Sequence, residues 1–178
     1  MAVTISKDKY PTLSAETGVS GKRKVIYINY GENATEAAPV WTKLGGLTSQ
    51  TTNWNAAAST QNTKDTGYWA SGAVTSKSFD LSCDVMFKRD DEGQAVIDNF
   101  MLDDTITATK GALMLLIVDL DAKTGEKIKV IPTKWTEKAE AKDVITKTLT
   151  ATGISSPKII KLKVDETAGT ITEDTTTA

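Results

Sequence analysis

The side chains able to do chemistry in this chain are carboxylates, one thiol and a few indoles, because it contains no histidine. The usual general base and the usual metal ligand are therefore both missing. Cys83 is the only cysteine, so no intrachain disulfide can form. It falls on the apolar side of an alternating run and reads as a small core residue rather than a nucleophile. Zinc needs clustered His and Cys, which the chain cannot supply. Acidic clusters occur at Asp90-Asp91-Glu92 and at Asp103-Asp104. Neither has the fixed glycine and terminal glutamate of a calcium loop. The first suits a helix N-terminus, where carboxylates cap amides and meet the positive end of the dipole, and the second reads as a solvated loop. No two acids are marked out as a glycosidase pair. Gly45-Gly46 is followed by no helix, so it is not a phosphate loop. Catalytic residues, metal ligands and cofactor-binding residues are thus expected to be absent, and the chain is read as a protein that is not an enzyme.

What remains are aromatics in a polar setting and acids on a strand. Residues 48–72 are small and polar around Trp54, Tyr68 and Trp69. That stretch has too little apolar material for a core of its own. One reading is a long disordered loop. The preferred one is an extended polar hairpin loop whose aromatics pack on a neighbouring subunit, since compact domains rarely keep such loops without a use. A third reading, from a different class, is a monomeric carbohydrate-binding β-sandwich module that stacks sugars on Trp54 and Trp69. Further along, Phe79, Leu81, Cys83, Val85 and Phe87 point one way while Ser78, Asp80, Ser82 and Asp84 point the other. Asp80 and Asp84 therefore stand on the polar face of a half-buried strand.

The elements that hold these residues are mostly strands. The chain is rich in threonine, valine and isoleucine, which favour them. Residues 23–30 carry apolar groups on both faces and are expected between two layers or at an interface, while 111–121 is near-continuously apolar and is expected to be buried on both faces. A second strand is read over 40–50, with a bulge or bend at Gly45-Gly46. A turn at Thr124-Gly125 returns the chain into 127–135, where Pro132 marks an edge or bulge. Alternation recurs over 141–153, and 157–166 with 169–173 read as a final hairpin. One short helix, about 90–102, is expected to open at Asp90 or Asp91 and to bury Val96, Ile97, Phe100 and Met101. The connector 102–111 reads as irregular, with at most a short strand. The organisation is an N-terminal arm over 1–22, a β-domain over 23–153 containing the inter-subunit loop 48–72, and a C-terminal hairpin with a flexible tail over 154–178.

A net charge of −2 argues against gripping nucleic acid through its phosphates, though not against surrounding it. The first residues, MAVTISKDKYPTL, lack a basic region followed by an apolar run, and the run Ala112–Val118 is too short to span a bilayer. Synthesis in a cytoplasm, with no membrane anchor, is the expectation.

The order of these elements resembles the major tail tube protein of long-tailed bacteriophages. The resemblance lies in TGYWASGAVTSKSFDLSCDVMF closing the long loop, in the helix opening RDDEGQAVIDNF, in the hairpin GALMLLIVDLDAKTGEKIKVIPTKW, and in the late threonine-rich KTLTATG. It covers about residues 23–153. It implies a mainly β fold, a β-sandwich or barrel with one short flanking helix. Copies would form stacked hexameric rings whose inner sheets join into a hollow tube, the conduit for DNA ejection. The partners it implies are further copies of the chain; tape-measure, terminator and baseplate proteins of the tail; and passing DNA bound without sequence preference. The implied place is the virion tail, after synthesis in the bacterial host cytoplasm. The bore of such tubes is generally acidic, which makes Asp80 and Asp84 candidate lumen-facing acids. The inner tube of a contractile tail or injection device shares the fold and stands as the alternative.

Overall fold

Period-two alternation becomes nine strands and two helices in a computed structural model, which describes residues 21–61, 71–141, 143–165 and 170–174. After a 3-10 turn at Gly21–Arg23 come β1 (Lys24–Asn29), β2 (Trp41–Lys43), β3 (Leu47–Gln61) and β4 (Ser71–Met86). Helices α1 (Glu92–Leu102) and α2 (Asp104–Lys110) follow, then β5 (Leu113–Asp119), β6 (Thr124–Lys138), β7 (Thr146–Gly153), β8 (Lys158–Asp165) and β9 (Thr170–Glu173). All strand pairs are antiparallel.

The strands run in the order β2-β1-β5-β6-β7-β4-β3, and β6 is the corner. Its first half pairs with β5 as far as Val130, and its second half pairs with β7 from Val130 to Lys138. A register shift between Pro132 and Lys134 lets the strand bend there. The bulge read at Pro132 is therefore present. The two halves of the sheet fold over one core. Ile26, Ile28, Leu115, Ile117 and Ile128 come from one half, and Phe79, Leu81, Cys83, Val85, Leu149 and Ala151 from the other. Helix α1 adds Val96 and Ile97 to this core. A second, smaller core lies on the opposite side of β1 and β5, where Tyr27, Leu116 and Val118 meet Leu162 and Ile171 of the β8–β9 hairpin. That is why β1 and β5 are apolar on both faces.

Four expectations are corrected. Residues 40–50 are two strands rather than one, because the chain turns at Gly46, whose φ of +75° is a left-handed conformation that glycine adopts at little cost. The turn after β5 falls before Thr124, which already pairs with Asp119, and Gly125 lies inside β6. A Cβ there would sit 2.7 Å from Leu116 Cδ1 and 2.9 Å from Leu162 Cδ1, so this glycine lets two layers meet. The connector 102–111 holds a second helix, α2, so the single-helix expectation was one short. The Asp103-Asp104 cluster, read as a solvated loop, opens that helix: Asp103 Oδ1 accepts from Thr105 N at 2.8 Å and Ile106 N at 3.3 Å. The stretch 48–72 is a hairpin and not a disordered loop over the residues described, 48–61 and 71–72.

Candidate functional site: a polar sheet face and a projecting hairpin

The strands β6, β7, β4 and β3 present a continuous polar face. Residues paired across antiparallel strands point to the same side, so the register fixes its rows. Thr136, Thr148, Asp84 and Ser49 form one row. Lys134, Thr150, Ser82 and Thr51 form the next, and Ile131, Thr152, Asp80 and Asn53 the one beyond. Asp80 and Asp84 thus lie on one face, as expected. Both are held by neighbours on the flanking strands. Asp84 accepts from Ser49 Oγ and from Thr148 Oγ1, each at 2.6 Å. Asp80 accepts from Thr152 Oγ1 at 3.1 Å and from Asn55 Nδ2 at 3.2 Å. The hydroxyls of Ser49 and Thr148 hold the Asp84 carboxyl below the usual carboxylate range. Each acid therefore stitches β3 and β7 to β4 while keeping its exposed edge to water.

The reverse side of the same four strands is the core. Cys83 is buried there, and burial, aided by the neighbouring Asp84 charge, pushes its thiol up to about 12. It stays protonated at neutral pH and unreactive. Polar groups also tie α1 to this side. Asp91 caps the helix, accepting from Gln94 N at 2.9 Å and from Gly45 N at 3.2 Å. The buried Gln94 side chain donates to Gly45 O and Met86 O and accepts from Lys88 N. Further along, Lys147, its side chain only 7% exposed, donates to both oxygens of Asp98 at 2.8 and 2.9 Å. Trp135 Nε1 donates to the same carboxylate at 2.6 Å. These long-range ties were not visible in the sequence, where Lys147 looked like any other strand lysine. Its place on the apolar side of the β7 alternation was the available signal.

The β3–β4 hairpin outgrows the sheet. Pairing of β4 with β7 ends at Asp80–Thr152, yet β4 stays paired with β3 out to Ser71–Gln61. Residues 55–61 and 71–78 thus form an arm about 25 Å long at ~3.3 Å per residue, supported among the described residues only by its own ladder. Trp54 stands at its base opposite Phe79, half exposed at 51%, with ring centroids 4.6 Å apart and planes tilted 54°. The tilted Phe79 ring covers part of its indole. Tyr68 and Trp69 lie outside the described residues. Just before β1, Arg23 Nε meets Asp121 Oδ1 at 2.8 Å. Among the described residues no group of three or more acidic or sulfur ligands is placed to hold a metal, and no helix is long and apolar enough to cross a membrane.

No curated protein sequence matches the chain. Solved structures resemble it in fold. The tail of an empty gene transfer agent particle, determined with C6 symmetry, aligns with a TM-score of 0.61 at 13% identity, covering 79% of this chain and 98% of that one. The SPP1 tail tube aligns with a TM-score of 0.58 at 11% identity, covering 83% and 81%. A chain of the anti-feeding prophage baseplate aligns with a TM-score of 0.56 at 9% identity, covering 82% and 97%. Residues 18–110 match the family model described as the phage tail tube protein. With just over half of its length matched, the chain belongs to the phage tail tube protein family.

Proposed function

We propose that copies of this tail tube subunit close into six-membered rings through the four-stranded polar sheet, and that the rings stack into the hollow conduit for DNA ejection. The observation that carries this is the pair of edges bounding that sheet that stay unpaired among the described residues. On one side, β3 offers fifteen residues, Leu47–Gln61, containing no charge and no proline. An edge so unguarded invites a second strand. On the other side, β6 loses its β5 partner at Val130, so Ile131–Lys138 has one unpaired edge among the described residues. Joining β3 of one copy to this part of β6 in the next satisfies both edges by closure. The C6 symmetry of the gene transfer agent tail supports the number six. Four strands from each of six copies, 4 × 6, make a 24-stranded barrel. At ~4.8 Å per strand and a tilt of ~40°, its backbone is about 48 Å across, leaving a bore of about 40 Å. β1, β5 and α1 lie on the core side of this sheet and do not fit inside such a bore. The polar face with Asp80 and Asp84 therefore lines it.

The arm, with Trp54 at its base, reaches to the adjacent ring, and Trp54, Tyr68 and Trp69 are the residues proposed to contact the neighbouring subunit. The role is structural, without catalysis. The tape-measure, terminator and baseplate proteins of the tail are its further partners, and DNA passes without sequence-specific binding. The subunit is made in the bacterial host cytoplasm and ends in the virion tail. Negative-stain microscopy of concentrated protein tests this, with hollow tubes or six-fold rings expected. A protein that stays monomeric even with its tail partners overturns it. The likeness to the anti-feeding prophage baseplate chain favours a second reading, the inner tube of a contractile device. Co-assembly with a sheath protein would select that one.

A further inference from the structure

The four-stranded sheet has two unlike ends. The row Lys138, Thr146 and Met86 closes one end, and the β6–β7 turn, residues 139–145, stands just beyond it. At the other end β7 stops pairing at Asp80–Thr152, and the β3–β4 arm continues alone. The rows from Asp80 to Met86, about 20 Å at ~3.3 Å per residue, separate arm from turn. Each end leaves apolar groups bare. On the arm, Trp54, Ala56 and Ala58 of β3 share a face with Phe79, Lys77 and Val74 of β4, because paired residues point to the same side. A bulge at Thr75, whose Oγ1 donates to Ala57 O at 3.2 Å, sets Val74 beside Ala58. This face continues the one that the core covers at Phe79 and Leu81. Beyond Phe79 all of its residues are exposed, Val74 by 59%. On the turn, Val144 is 61% exposed beside a depression of about 340 Å³ that Asp143, Glu140, Lys138 and Thr146 also line. Glu140 lies 2.6 Å from Lys138. Asp143 makes no ion pair among the described residues, and neither does Lys77 on the arm. Lys142 lies outside the described residues.

We propose that the β6–β7 turn is the seat on which the arm of a copy in the adjacent ring docks, with Val74 of the arm against Val144 and Lys77 against Asp143. This deepens the reading that rings stack into a tube, and it rests on that reading. Rings that stack head to tail bring opposite ends of the sheet together, so every arm meets a turn. Arm-to-arm contact would pair two rings and stop, whereas contact between unlike surfaces repeats along a filament. The chemistry of the two ends is matched. The arm offers a narrow apolar strip with one cation, and the turn offers a bare aliphatic side chain next to an anion. Each contact is weak alone, because the groups are exposed and screened by salt. Ring closure makes the copies bind together, so weak contacts add at every joint between rings.

Disulfide trapping tests this, since the native Cys83 is buried. Tubes of the chain carrying Val74→Cys with Val144→Cys would be oxidised and run on a denaturing gel without reductant. The expected result is a ladder that continues past six copies, the proposed ring number, because each copy links to the rings on either side of it. A ladder that stops at the ring number places the contact within one ring and overturns the proposal. Tubes that yield only monomers overturn it as well. Dimers from Val74→Cys alone would show arm meeting arm, with the same consequence. The charge pair gives a second measurement where the double-cysteine chain forms no tubes. Lys77→Asp and Asp143→Lys should each stop stacking while rings persist under microscopy, and the two together should restore tubes. Single variants that stack normally, or a double variant that does not recover, overturn the proposal. Wild-type protein that forms no rings at all is a different failure, that of the stacked-ring reading itself.

Discussion

The two halves of β4 obey different rules. From Phe79 to Val85 the odd-numbered residues are buried and the even-numbered ones half-exposed, because a core lies on one side and β7 on the edge. From Gly72 to Ser78 every residue is exposed, and the only strand partner among the described residues is β3. The same strand is thus an integral part of the domain at one end and an unsupported ribbon at the other. An isolated two-stranded ribbon is marginal in water. The difference teaches that the core half is stable through the subunit itself, while the arm has only its own ladder and would gain support from the proposed contact with a neighbour.

Substitutions can sharpen or break that contrast. The largest effect is expected from Leu81→Ala, which opens a cavity where two half-sheets and α1 meet. It should cost about 3 kcal/mol in denaturant unfolding of the subunit. A loss below about 1 kcal/mol would mean that the core half is not the stabilising one. A middle effect belongs to the face. Thr148→Val removes one hydroxyl from Asp84 and should cost about 1 kcal/mol near neutral pH. Asp84 has a lowered carboxyl pKa in the folded state. Its contribution is therefore full above the ordinary carboxylate range and is lost as pH falls through the lowered value. The wild-type advantage over Thr148→Val should shrink in that acid window, and an NMR titration should show the Asp84 pKa rising in the variant. An advantage that stays constant with pH would break the assignment. The smallest effect on stability is expected in the arm. Val74→Asp, on an exposed residue paired with Ala58, should change subunit stability by less than about 0.5 kcal/mol yet stop tubes from forming under microscopy. Tubes that persist with the added charge would show that the arm is not an assembly element.

Legibility in the sequence followed the range of the forces involved. Helix α1 was readable because its cap, Asp91, and its buried residues Val96, Ile97 and Phe100 lie within a few turns of one another. The strand at 79–87 was readable from alternation alone. Helix α2 was not, since DTITATK is threonine-rich, lacks a helical apolar stripe and forms on the Asp103 cap. The polar face was half legible. Its acids could be put on one side of one strand, but the rows that join them to Ser49, Thr148 and Lys134 exist only through register, which no local pattern specifies. The Lys147–Asp98–Trp135 tie joins residues dozens of positions apart and had no local signature.

The undivided strand β6 has a mechanical consequence. Its fifteen residues run from the outer layer, where they pair with β5 and β8, into the proposed wall, where they pair with β7. Wall and outer layer share one covalent span and cannot slide past each other without tearing two ladders. The subunit therefore behaves as a stiff brick. In the proposed tube, flexion would concentrate in the joints between rings, where the two-stranded arms would be the compliant parts.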